Sequence, residues 1–169
     1  MKKYIYILLL STLFVSCSWF SWKKEAPVDL DKHTAKNVIE VPYEEKNGNK
    51  VIKVEVNGVP MKMIFDTGCS GMHMSLLEVQ NLYKQGAIRS EDFEGESYSF
   101  IANGSIVENL VFNLKEIEIG GETGIVLHDV ETTVSKNLDA PVLLGNGVID
   151  QLASVEVDNI DGVIRFKKH

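Results

Sequence analysis

Between residues 51 and 56 the side chains alternate, with Ile52, Val54 and Val56 apolar and Lys53 and Glu55 charged. A period of two marks a strand with one face buried. Asn57-Gly58 follows, a dipeptide suited to the two positive-φ positions of a tight hairpin turn. Residues 59–65 therefore predict the return strand. Over residues 75–85 the period changes to that of a helix. Leu76, Val79, Leu82 and Tyr83 form an apolar stripe, Ser75 and Glu78 form a capping box ahead of it, and Gly86 can end it.

The rest of the chain returns to β patterning. A second hairpin is expected over residues 98–114 with Asn103-Gly104 at its tip, Ile117 and Ile119 continue the pattern, and Gly120-Gly121 turns it again. Residues 126–134 read as a strand, 141–145 as an apolar run ending in Gly145, and 148–152 as a short helix. A last hairpin, 155–158 with 163–166, closes around Asp161-Gly162. Many short strands, tight turns and one or two short helices predict a mostly-β barrel or sandwich.

The first 37 residues do not share this patterning. Lys2 and Lys3 precede an apolar stretch, residues 4–15, too short to span a bilayer and suited to an export signal. Leu13-Phe14-Val15-Ser16-Cys17 resembles a lipobox, with Phe14 departing from the usual Leu. That resemblance implies a signal peptide over 1–16, a lipidated Cys17 and a tether over 17–37, ahead of a folded domain over 38–169. Trp19, Phe20 and Trp22 suit a membrane interface or packing on the domain, and Pro27 sits in a polar stretch with no apolar period. The expected location is the bacterial cell envelope, lipid-anchored at the outer membrane or the periplasmic face.

Composition narrows the function. A chain of 169 residues, 44% hydrophobic, can build one domain with a core. The formal net charge of −7 leaves no basic surface for phosphates, so no nucleic-acid partner is expected. Cys17 and Cys69 are the two cysteines, and a lipidated Cys17 leaves no internal disulfide. The His and Cys spacing supports no zinc site, and residues 158–162 lack the alternating oxygens of a calcium loop. No metal and no cofactor are expected.

The chemistry concentrates in Ile64-Phe65-Asp66-Thr67-Gly68-Cys69-Ser70, where a carboxylate sits at a strand end and a tight turn. Two apolar residues, then Asp-Thr-Gly, a small residue and Ser, resemble the active-site signature of aspartic proteases. A hairpin tipped by Ala102-Asn103-Gly104 and the element Leu143-Leu144-Gly145 follow in the chain. That order resembles the retropepsin-like family, bacterial single-motif members above all, over roughly residues 38–168. The resemblance implies a retropepsin-like closed β-barrel, the acid protease fold, and an aspartic endopeptidase acting on polypeptide substrates. Asp66, Thr67 and Gly68 would be catalytic, and Ala102, Asn103 and Gly104 would form a substrate-binding flap. Ser70, Leu143, Leu144 and Gly145 would support the active site.

Hydrolysis by this route needs two carboxylates sharing one proton across a water. The chain has one Asp-Thr-Gly, and Asp161-Gly162 lacks the middle residue. The second carboxylate must come from another copy, so the expected enzyme is a homodimer. Cys69 stands where the family usually has Ala, which suits packing or redox control. Two other readings compete. Cys69 could be a nucleophile with His73 or His128 as base. The chain could also be a non-catalytic lipoprotein module for binding or assembly that retains the fold.

Overall fold

The structure, a computed structural model, describes residues 37–169. The expected signal peptide, Cys17 and all but the last residue of the expected tether lie outside the described residues.

The described residues hold eleven strands, two short α-helices and two single-turn 3-10 helices, joined by turns and loops. The strands are β1 (Val38–Pro42), β2 (Glu44–Lys46), β3 (Asn49–Val56), β4 (Val59–Phe65) and β5 (Met72–Ser75). Helix α1 (Leu76–Lys84) leads to β6 (Phe93–Phe100), β7 (Ile106–Ile119) and β8 (Ile125–Ser135). Then come β9 (Leu143–Leu144), α2 (Asn146–Ile149), β10 (Ser154–Asp158) and β11 (Val163–Lys167).

The alternation in β3 does what its period predicts, since Ile52, Val54 and Val56 are all buried. Asn57 and Gly58 take φ of 48° and 79°, the left-handed pair that joins twisted antiparallel strands tightly. Asn47-Gly48, with φ of 53° and 78°, makes the same turn between β2 and β3.

The larger sheet runs β2-β3-β4-β9-β5-β8-β7-β6, and a further pairing of β3 with β7 closes it. Val54, Glu55 and Val56 face Ile119, Glu118 and Ile117 across that seam. Six strands thus form a ring of hydrogen bonds, and the fold is the expected mostly-β closed barrel. Its interior holds Ile52, Val54, Met63, Leu114, Ile117 and Phe166, with Met72, Val134 and Leu144 nearer the end of β4. A smaller sheet, β1-β11-β10, joins the first and last described strands. Phe166 on β11 meets the Phe65 ring edge-on at 6.2 Å, which ties this sheet to β4.

Helix α1 follows its expected start. The Ser75 hydroxyl accepts from Leu77 N at 3.2 Å and donates to the Glu78 carboxylate. The stripe is narrower than predicted: Val79 and Leu82 are buried and Leu76 partly so, but Tyr83 is 61% exposed. A nine-residue helix lying on the barrel buries one narrow face, and Tyr83 falls outside it. Helix α2 comes two residues earlier than the predicted 148–152 and spans one turn. The second hairpin is longer than predicted, because β6 and β7 pair from Phe93↔Phe112 to Phe100↔Ile106. The base of β7 then runs on as a barrel stave.

Candidate active site

Strand β4 ends at Phe65, and Asp66 begins the next turn. Its position is set through the backbone: Asp66 N donates to Leu144 O at 3.0 Å, and Cys69 N donates to Asp66 O at 3.2 Å. Gly68 N donates to the carboxylate oxygen Oδ1 of Asp66 at 2.8 Å. A Cβ at Gly68 would stand 3.1 Å from that same oxygen. Glycine at 68 therefore serves close approach to the carboxylate. Thr67 and Gly68 are exposed and Asp66 is half-buried, so the carboxylate lies at a surface and not in the barrel interior.

The later apolar run supports this loop from behind. Ile64 and Phe65 pair in parallel with Leu143 and Leu144, and Ile64 N donates to Val142 O at 2.9 Å. Leu144 is fully buried. At Gly145 a Cβ would collide with the Gly71 and Cys69 carbonyl oxygens, so only glycine fits between the two loops. The sequence reading missed Asn146. Its backbone N donates to Cys69 O at 2.9 Å, and its Nδ2 donates to Thr67 O at 2.9 Å. The available signal was a carboxamide directly after an apolar-apolar-Gly run, where it can reach across to the Asp66 turn.

Ser70 is exposed, and among the described residues no hydrogen bond joins it to Asp66. The carboxylate is held by the Gly68 amide and not by the Ser70 hydroxyl.

The hairpin tip closes with Gly104 N donating to Ile101 O at 2.8 Å and Ile101 N to Ser105 O at 3.0 Å. Asn103 Oδ1 accepts from Ser105 N at 2.9 Å, and Gly104 takes a φ of 82°. Ala102, Asn103 and Gly104 are all exposed. A two-strand arm with a free tip has the form a closing flap needs.

Cys69 does not form a nucleophile pair. Its Sγ donates to Gly71 O at 3.2 Å, and burial, with the Asp66 charge adding to it, pushes the thiol above its ordinary pKa. His73 Nδ1 is taken by Thr133 Oγ1 at 2.9 Å, and His128 lies 3.9 Å from Glu116. A nucleophilic cysteine needs a base and a lowered pKa, and Cys69 has neither. Among the described residues there is no cluster of three metal-ligating side chains.

The family model described as gag-polyprotein putative aspartyl protease matches residues 52–151. This chain belongs to that aspartyl protease family. The match spans β3 to α2, and so takes in the Asp66 turn, the hairpin arm and the Leu143-Leu144-Gly145 element. No curated protein matches the chain. Among solved structures, a retropepsin-like aspartic protease from Rickettsia conorii is similar with a TM-score of 0.55. The identity is 17%, over 78% of this chain and 91% of that one. At this identity the likeness is one of fold, and it agrees with the closed barrel of this aspartyl protease family member.

Proposed function

We propose that the chain is an aspartic endopeptidase whose active form is a homodimer. The observation that carries this reading is the Asp66 turn, a half-buried carboxylate tied to the Gly68 amide at 2.8 Å. It is braced from below by Leu144, Gly145 and Asn146. The chain has one such motif, and the exposure of Thr67 and Gly68 leaves this turn free to meet its copy on a two-fold axis.

In that dimer the two Asp66 carboxylates share one proton, because like charges so close cannot both ionise. The ionised carboxylate takes a proton from the water between them as the water oxygen attacks the peptide carbonyl carbon. The protonated carboxyl gives its proton to the carbonyl oxygen, forming a neutral tetrahedral diol. A proton then passes to the amide nitrogen, the C–N bond breaks, and acid and amine leave. The pair titrates as a unit. Thr67 would hold the two turns together across the axis, and the arm tipped by Ala102, Asn103 and Gly104 would close over the substrate and exclude water. An anchor at Cys17 would keep this domain on the membrane surface, where two copies meet at high effective concentration.

The test is cleavage of a diverse peptide library by the full chain purified in detergent, beside Asp66→Asn, with oligomeric state recorded. Cleavage that is abolished by Asp66→Asn and rises with dimer fraction is the expected result. A demonstrably dimeric chain that cleaves nothing would instead favour the binding-module reading.

A further inference from the structure

Strand register fixes which side chains share the face of Asp66. Ile64 pairs with Leu143, Leu143 with His73, His73 with Thr133, and Thr133 with Val111. This row crosses β4, β9, β5, β8 and β7 on one side of the sheet. Ile64 N donates to Val142 O and Asp66 N to Leu144 O, so the parallel ladder runs one residue past β4 and the alternation puts Asp66 on the side of Ile64. The other side carries Phe65, Leu144, Met72 and Thr132, which turn to the barrel core. The row of Asp66 therefore lies on the face turned away from the barrel core, and it runs on to β7, one strand of the hairpin arm.

That row is apolar at Ile64, Leu143 and Val111 and polar at its middle, where His73 and Thr133 stand side by side. Thr133 Oγ1 donates to Met72 O at 3.2 Å, which uses the hydroxyl proton. Both contacts are satisfied together when Nδ1 donates to Thr133 Oγ1 at 2.9 Å. In that tautomer neutral His73 carries its proton on Nδ1 and leaves the Nε2 lone pair free. Among the described residues Nε2 has no hydrogen-bond partner, and it is not among the fully enclosed polar atoms. Burial pushes the imidazole below its ordinary pKa, which favours this neutral form. The next row on the same face pairs Ser135 with Asn109 and Asn109 with Ser97; there the buried Asn109 donates to Ser99 Oγ at 2.9 Å and the enclosed Ser97 Oγ has no partner.

We propose that His73 is the specificity-determining residue of the cleft. Its Nε2 accepts a hydrogen bond from a substrate side chain lodged between the Asp66 turn and the flap, and so selects hydroxyl and carboxamide donors over aliphatic groups. A site built to hydrogen-bond rejects an apolar analogue because its own polar groups are left unpaired. The inference rests on the endopeptidase reading and adds to it the class of substrate.

The experiment compares pairs of peptides that differ only by Asn against Leu, placed in turn at each position near the scissile bond. The full chain is assayed as wild type, His73→Val, His73→Gln and Thr133→Val. At one position the wild type is expected to favour Asn by about tenfold in kcat/KM, the worth of one hydrogen bond. His73→Val removes or reverses that preference, Thr133→Val weakens it by freeing the ring, and His73→Gln restores it through its carboxamide oxygen. If His73→Val fails to fold, Thr133→Val and His73→Gln still carry the comparison. An unchanged Asn-to-Leu ratio in the variants, with cleavage still dependent on Asp66, overturns the inference and leaves the endopeptidase standing. Cleavage indifferent to Asp66→Asn, or none by a dimer, overturns both.

Discussion

Asn146 shows what a single side chain does for this site. It contributes no chemistry, but its carboxamide holds Thr67 O and its backbone N holds Cys69 O, one on each side of Gly68. Asn146→Ala keeps the backbone bond and loses the carboxamide. Its cost in folding stability should be about 1 kcal/mol, that of one hydrogen bond. Peptide cleavage should fall much further, on the order of tenfold to a hundredfold, because displacement of the carboxylate is felt in the transition state. Urea unfolding beside kcat/KM separates the two, and equal effects would mark Asn146 as merely structural. Asp66, Thr67 and Gly68 were legible in the sequence because they form a contiguous motif. Asn146 was not, because its partner lies 79 positions away.

At the scale of elements, the hairpin turns carry more than their local geometry. Asn57 supplies the left-handed turn residue, and it also sews three segments together. Its N donates to Glu116 O at 2.9 Å, its Oδ1 accepts from Glu116 N at 2.9 Å, and its Nδ2 donates to Ala87 O at 2.8 Å. Asn57→Gly preserves the positive φ and removes both side-chain bonds at the barrel seam. The unfolding free energy should drop by about 1–3 kcal/mol, read from the urea midpoint, where a pure turn role would leave it nearly unchanged. The dipeptide announced the turn, but nothing local announced its hold on β7 and the segment after α1. Helix α1 was likewise visible in its cap and period, and Tyr83 was misassigned because only the barrel surface decides how wide a stripe is covered.

At the scale of the molecule, the first and last described strands meet in one small sheet. Arg165 on β11 lies between its neighbours, bonding Glu40 of β1 at 2.8 Å and Asp158 of β10 at 2.6 Å. Asp158 also accepts from Asp161 N at 2.9 Å and Ile160 N at 2.8 Å. The Asp161 amide first, then the Arg165 guanidinium and the Ile160 amide, hold its pKa down to about 2 from an ordinary 3.8. A depressed carboxylate pKa stabilises the fold above the unfolded value, and the gain is lost as pH falls through the folded value. Thermal unfolding followed from pH 5 to pH 2 should therefore show a fall in Tm over the lower half of that range. Asp158→Asn should flatten it, and an identical slope in the variant would show that other carboxylates govern the acid limb.

The sequence by itself determined the strand pairs joined by tight turns, the cap and start of the helix, the Asp66 motif and the glycines beside it. These rest on neighbours within a few residues, where period, turn chemistry and capping act. Tertiary structure alone decided which strands close the barrel, that Asn146 reaches Thr67, that Ser70 leaves the carboxylate to Gly68, and that His73 shares a sheet face with Asp66. Each depends on segments far apart in the chain being brought into one register, and a parallel pairing such as β4 with β9 leaves no mark on either strand beyond an apolar run.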